Sequence, residues 1–408
     1  MSLSLIQTYR ASASLALDNR RGAVSQGFRA DIQGIRGIAI ALVVLLHAGL
    51  AGFQGGFVGV ELFFVLSGYV VTDSALRKYP RSLGANLKTF YIKRVMHLVP
   101  LAAIVIVVTL FAAYFLLGPA FNTDLIEDSR WSSMFAANWR FISVGANYFI
   151  QGLDQSLLNH YWYLAIEQQV YLVFPLVFFT VLRFTPERFR RPSLAAIAIL
   201  AMATSGLWSY VQTATDTTVA YYSPWTRVWE IALGCLIGLI PSAAANRTPL
   251  LVTTTVSVIG LAAIASSAVF LDSTKPYPGV LAWWPALGVA ALLWANEHSV
   301  RFGPASWLRW RPLRYLGDFS YALYLWHYIW LMLPSQMVNP PSPNWLPVQL
   351  FGALVCSVLS HHLIEKPLMR AGRFKNDLVA TLLLLLISVA LVWNASLIVE
   401  QLSIRATS

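Results

Sequence analysis

DIQGIRGIAIALVVLLHAG, residues 31–49, is an apolar run that carries one guanidinium and one imidazole, Arg36 and His47. Its length predicts a helix able to cross a bilayer. Eleven steps at about 100° each return to within about 20° of the starting direction, and at about 1.5 Å per residue they advance roughly 16 Å. Both groups therefore share one helix face at two depths. Ionisable side chains inside a membrane span are expensive, so they mark functional positions by default.

Outward from this run, the chain keeps the same character. Of its 408 residues, 57% are hydrophobic and 12% charged, and the mean hydropathy is +0.61. Soluble domains carry about 25% charged residues, so a polytopic membrane protein is predicted. Eleven apolar segments qualify as spans: 33–52, 56–76, 97–117, 160–182, 194–212, 225–240, 250–271, 279–296, 316–334, 346–364 and 378–399. With the N-terminus in the cytoplasm and alternating sides, 24 of the 29 Lys and Arg fall on the cytoplasmic side. The other 5 (Arg130, Arg140, Arg227, Lys275 and Arg405) fall outside. The positive-inside rule thus selects N-in, C-out.

The fold expected is all-α, a polytopic membrane helical bundle of ten or eleven transmembrane helices. Residues 1–30 read as a cytoplasmic N-terminal tail without a cleavable signal peptide. Residues 31–370 form the membrane domain, and 371–408 the final transmembrane helix with a short outer tail. The net charge of +11 lies in loops between apolar runs, which points to membrane topology and not to nucleic acid. Cys235 and Cys356 fall in apolar runs and read as small buried hydrophobes; no His, Cys or carboxylate spacing suggests a metal. The long outer connection 118–159 is too aromatic for a linker and predicts short helices capping the outer face. Residues 78–100 read as an interfacial helix leading into the third span.

Four spans each place one ionisable group in the outer half of the bilayer: His47, Glu61 in GGFVGVELFFVLSGY, Glu167 in HYWYLAIEQQVYL, and Glu230 in SPWTRVWEIALG. Convergence would make a polar cavity in which a carboxylate orients an imidazole, a general-base arrangement. The plainer reading is a set of buried polar groups satisfied across helices. At the inner end, Arg36, Lys93, Arg94, His97 and Arg314 form a cluster suited to the phosphates of a cytosolic cofactor. Ordinary positive-inside residues are the plainer account of most of these. His327, in GDFSYALYLWHYIW, is a second intramembrane imidazole, either a packed histidine or a substrate contact.

RADIQGIRGIAIALVVLLH, GGFVGVELFFVLSGYVVT, FYIKRVMHLVP, YWYLAIEQQVYLVFP, GDFSYALYLWH and IEKPL, in this order, resemble the acyltransferase-3 family of integral-membrane O-acyltransferases. That family includes O-antigen and exopolysaccharide acetylases. The resemblance runs from about residue 29 to 370. It implies His47 as catalytic base, Arg36 as a contact for the acyl donor and Glu167 as the motif carboxylate; Glu61, from its depth, is a second candidate to steady His47. With the inner cluster read above, Arg36, Lys93, Arg94, His97 and Arg314 are the candidate contacts for an acyl-CoA (acetyl-CoA) co-substrate, and Glu230, His327, Tyr161 and Trp162 the candidate contacts for the acceptor. Where the family has Arg-x-x-Arg, this chain has Arg94-Val-Met-His97, so the second cation is lost. Where a serine often precedes the motif tryptophan, Tyr161 stands here. The implied reaction is transfer of an acyl group, acetyl by default, to a hydroxyl of a carbohydrate or lipid-linked glycan of the envelope or exopolysaccharide, at a bacterial inner membrane.

Three alternatives stay open at this stage. A small glycosylated metabolite is a second acceptor class. A proton-coupled transporter also uses intramembrane His and Glu, although no paired repeat with broken helices is visible. A non-catalytic membrane subunit would use the same residues as structural glue. Oligomeric state is not readable.

Overall fold

The structure, a computed structural model, describes residues 29–78, 82–119, 122–146, 148, 155–241, 248–295, 303–337, 342–370 and 377–407. Nearly all of the tail predicted over 1–30 lies outside the described residues, as does the join at 371–376. The described residues form helices and no strands. In chain order these are α1 (Ala30–His47), α2 (Gly59–Lys78), α3 (Leu83–Leu117), α4 (Asn122–Ser133), α5 (Ala137–Ser143), α6 (Tyr161–Phe184), α7 (Glu187–Thr215), α8 (Thr217–Tyr222) and α9 (Val228–Leu239). There follow α10 (Leu250–Phe270), α11 (Trp283–Ala295), α12 (Pro304–Leu308), α13 (Arg311–Asp318), α14 (Ser320–Ser335), α15 (Leu346–Ser360), a π-helical turn His361–Glu365, α16 (Lys366–Arg370) and α17 (Leu378–Thr407).

The protein is an all-α polytopic helical bundle. Eight helical stretches among the described residues are long and apolar enough to cross a membrane: α1, α2 with its leading 3-10 turn, α3, α6, α7, α10, the run Leu346–Arg370, and α17. The three other predicted spans are helical but short. At about 1.5 Å per residue, α9 (12 residues), α11 (13 residues) and α14 (16 residues) reach roughly 18, 20 and 24 Å, against about 30 Å of hydrocarbon. Each is shortened by irregular backbone at its start. A 3-10 turn, Pro224–Thr226, precedes α9, a turn around 280–282 precedes α11, and a break at Phe319 (φ −107°, ψ 18°) separates α13 from α14. Non-helical backbone at such depth is tolerated where protein buries it or a cavity hydrates it.

Burial separates centre from periphery. In α2, 78% of the apolar window is buried, whereas α7, α10, α17 and the Leu346–Arg370 run bury 22–28% and present leucine, phenylalanine and tryptophan outward. The interfacial helix expected over 78–100 is continuous with the third span in the 35-residue α3, with Pro100 inside it. The connection after α3 does fold into short helices, α4 and α5. Arg130 ties α4 to Glu400 of α17 at 2.6 Å, and Arg140 pairs with Asp128 at 3.0 Å.

Two close approaches position the centre. Where α2 crosses α9, a Cβ added to Gly68 would lie 2.0 Å from the Ile231 carbonyl oxygen, and one on Gly234 would lie 1.9 Å from that of Val65. The helices thus meet backbone to backbone, as small residues permit. The end of α1 is equally defined. Gly49 takes φ +66°, its amide donates to the Leu46 carbonyl, and the Leu50 amide donates to that of Leu45. This Schellman closure leaves His47 as the last helical residue.

Candidate active site

His47 is buried and faces α14. Its Nδ1 lies 3.1 Å from Nε2 of the fully buried His327, whose own Nδ1 lies 2.9 Å from the Leu323 carbonyl oxygen. A carbonyl only accepts, so His327 carries its proton on Nδ1 and its Nε2 is bare. His47 must then donate from Nδ1, which leaves His47 Nε2 with a free lone pair. The Tyr148 hydroxyl sits 3.1 Å from that nitrogen and donates to it. The result is a neutral imidazole locked in one tautomer with its basic nitrogen aimed at a hydroxyl. A second imidazole, and not a carboxylate, does the orienting.

The predicted convergence of His47 with three carboxylates does not occur. Glu61 and Glu230 meet each other around a residue the sequence reading left among the outer loop cations. Arg227 Nη1 donates to Glu61 Oε1 at 2.9 Å and to Glu230 Oε1 at 3.1 Å, and all three side chains are at most 1% exposed. The guanidinium lies over Trp162 (5.4 Å), Tyr221 (4.9 Å) and Tyr277 (5.7 Å), and its Nε donates to the Tyr221 carbonyl. The physical reason is local: Arg227 stands at the foot of α9, three residues before Glu230, and a buried cation takes the nearest carboxylates. Tyr221 in turn stacks on Tyr148 at 4.6 Å, so this triad braces the wall behind the base.

Glu167 lies towards the Arg36 end of the bundle. Its Oε1 accepts from Ser67 at 2.5 Å and from Tyr171 at 2.9 Å. With Arg36, Arg94, His97, Tyr163, Ser320 and Tyr324 it lines a cavity of about 140 Å³. Arg36 donates to the Ser320 hydroxyl at 2.9 Å, just past the helix break, and Arg94 lies 3.8 Å over the Tyr171 ring. The inner cluster therefore forms, with Glu167 added to it. Here His97, at the position where the resemblance leads one to expect arginine, packs tilted against the Tyr321 ring at 5.3 Å. A second cavity of about 490 Å³, lined by Lys93, Asn86, Thr89 and Ser74, shares Arg94 and Val70 with the first. Arg314, on α13, does not line either cavity.

Three predicted acceptor contacts have other partners. His327 serves His47. The Tyr161 hydroxyl is pinned to the Ala102 carbonyl of α3 at 2.8 Å, and Trp162 is fully buried beneath Arg227 and Tyr221. Tyr324 closes the Arg36 cavity. Its hydroxyl donates to the His160 carbonyl at 2.6 Å, and its ring lies 5.7 Å from His327. On the other side of Tyr148, a third cavity of about 250 Å³ is lined by Tyr148, Tyr221, Tyr222, Tyr277, Thr217, Thr218, Ser273, Thr274 and Lys275.

Sequence reasoning missed Arg227, Tyr148, Ser67, Tyr171 and Ser320. Two had a visible signal: Arg227 precedes Glu230 by three residues in an apolar run, and Tyr171 follows Glu167 by four. Tyr148 comes from the outer connection, where no periodicity points to it.

The described site is thus a buried histidine pair locked in one tautomer within a membrane bundle, with a cationic cavity lined by Arg36 and Arg94 and a hydroxyl-rich one lined by Tyr148. Residues 29–362 match the acyltransferase domain that defines the acyltransferase-3 family, and the chain belongs to that family. Among its relatives, the peptidoglycan O-acetyltransferase OatA of Listeria monocytogenes is 29% identical over 365 residues, covering 85% of this chain and 57% of the relative. The O-acetyltransferase OatA of Staphylococcus aureus is 29% identical over 355 residues, covering 84% and 57%. The chain thus spans a little over half the length of these relatives. No solved structure matches it significantly.

Proposed function

We propose that the protein transfers an acyl group, acetyl by default, from an acyl-CoA thioester to a hydroxyl of an envelope carbohydrate, with His47 as general base. The observation that carries this reading is the bare Nε2 of His47 facing a hydroxyl at 3.1 Å. In the resting protein the Tyr148 hydroxyl occupies the place of the acceptor hydroxyl. The relatives named for peptidoglycan O-acetylation support an envelope carbohydrate as acceptor.

The donor enters at the cationic end. Its nucleotide phosphates lie against Lys93, Arg94 and Arg36, which bind phosphate by charge and, for arginine, by a forked geometry. The pantetheine arm follows α1 over the roughly 16 Å between Arg36 and His47. The acceptor comes from the opposite face, through the cavity behind Tyr148. Its volume of about 250 Å³ is below the range of about 300–1,000 Å³ that holds drug-sized ligands. A single sugar ring suits it, with tyrosine faces to stack on and hydroxyls to bond.

In the transfer, the acceptor oxygen attacks the thioester carbon while His47 Nε2 takes the hydroxyl proton. The C–S bond breaks, and the imidazolium returns that proton to the departing sulfur. His327 accepts from His47 Nδ1 throughout, and that hydrogen bond strengthens as the imidazolium forms. In this reading the cationic end is cytoplasmic, the protein is a bacterial inner-membrane enzyme with its N-terminus inside, and neither substrate crosses the membrane.

The test uses the full chain in lipid nanodiscs with acetyl-CoA and soluble peptidoglycan fragments. Acceptor-dependent thiol release with a mass gain of one acetyl group is expected, and His47→Ala should abolish it while leaving expression and monodispersity intact. Transfer that survives in His47→Ala sinks the mechanism. Acetylation of small glycosides alone would move the acceptor to the metabolite class.

A further inference from the structure

Close to His47 the structure holds two buried polar groups with no well-formed hydrogen bond to the rest of the protein. The Tyr328 hydroxyl and the Asn159 side-chain Nδ2 have only each other, and both residues are at most 1% exposed. A donor left unpaired in such a site costs about 1–3 kcal/mol, and native structures keep very few. Two side by side next to a locked base call for a ligand that completes them.

Their placement is fixed from several sides. The Tyr328 ring stands edge-on to His47 at a centroid distance of 5.0 Å and stacks on His160 at 4.5 Å. The Tyr222 hydroxyl donates to Asn159 Oδ1 at 2.8 Å, which turns the amide nitrogen away from Tyr222. The Tyr328 hydroxyl has the Asn159 amide as its hydrogen-bonding neighbour and sits within electrostatic reach of Tyr148 and Tyr222, both of which line the acceptor cavity.

Given the acyl-transfer reading on which this rests, we infer that the Tyr328 hydroxyl and the Asn159 amide form the oxyanion hole of the reaction. When the acceptor oxygen attacks, the thioester C=O becomes C–O⁻, and these two donors receive the developing charge. As the carbonyl re-forms, the C–S bond breaks and the sulfur takes its proton from His47. In the resting state the Tyr328 hydroxyl proton has no acceptor, so its full strength is available where charge appears.

The assignment has a signature that a structural role lacks. Tyr328→Phe deletes a hydroxyl whose one polar neighbour is the Asn159 amide and whose proton has no acceptor, so the fold loses little and sheds a desolvation cost. Melting temperature and acceptor-dependent acetyl transfer are compared in the full chain in nanodiscs. Tyr328→Phe is expected to melt at or above the wild-type temperature, keep KM for both substrates, and lose about 100-fold or more in kcat. Asn159→Ala is expected to lower kcat by a similar factor, with some loss of stability because Tyr222 is left unpaired. A Tyr328→Phe protein with kcat within a few-fold of wild type overturns the oxyanion assignment alone. So does one whose loss of rate comes with a lower melting temperature. A wild-type protein that transfers no acyl group overturns the acyl-transfer reading, and this assignment with it.

Discussion

His327→Leu isolates what the second imidazole contributes. Leucine fills a similar space in this fully buried position but accepts no hydrogen bond, so the His47 Nδ1–H loses the acceptor now 3.1 Å away. In the ground state that bond joins neutral partners, for which about 0.5–1.5 kcal/mol is typical. Once His47 has taken the acceptor proton, the same N–H belongs to an imidazolium, and a charge-assisted bond contributes about 1.5–3 kcal/mol. Only the difference, about 1–1.5 kcal/mol, acts on the chemical step, and at about 1.4 kcal/mol per decade it predicts a fall of roughly tenfold in kcat. KM for donor and acceptor should hold, because neither substrate touches His327. The assay is steady-state thiol release with acetyl-CoA and a soluble glycan, alongside thermal melting. His327→Gln, whose Oε1 accepts, should recover part of the rate. An unchanged kcat in His327→Leu, or a raised KM at constant kcat, refutes the tautomer reasoning.

Three further outcomes follow from the packing. Arg227→Met leaves Glu61 and Glu230 buried without their cation and should cost about 3–5 kcal/mol of stability; adding Glu61→Leu and Glu230→Leu should restore most of the melting temperature. Gly234→Leu must push α9 off α2, where a Cβ alone would lie 1.9 Å from the Val65 oxygen, and size-exclusion chromatography should show no monodisperse protein. Arg130→Gln removes the pairs with Glu400 and Glu127, whose side chains are 43% and 46% exposed, so the melting curve should register no more than about 1 kcal/mol per pair.

The membrane bundle was legible because apolar length is a one-dimensional signal, and among the described residues helix occupies each of the eleven predicted segments. Arg36 and His47 were legible because both sit on one helix, where periodicity alone fixes their relation. The partners of the carboxylates were not. Depth along a span says nothing about rotation about its axis, and Glu167 faces Ser67 and Tyr171 while Glu61 faces Arg227. Arg227 was hidden by the topology count itself, which treats every outer arginine as solvated. Tyr148 was hidden because it enters from a connection with no helical period of its own.

The brevity of α9, α11 and α14 has a consequence for transport energetics. Helices of roughly 18–24 Å leave about 6–12 Å of a bilayer core to be made up by irregular chain. The electrical and hydrophobic insulation of the membrane is therefore thinner at these three helices, one of which, α14, carries His327. In the proposed reaction, what must pass this thinned layer is a small neutral acyl fragment, while the highly charged nucleotide and the polar sugar each stay on their own side. The membrane potential then does no work on the group that moves, so transfer should run at the same rate in energised and de-energised vesicles.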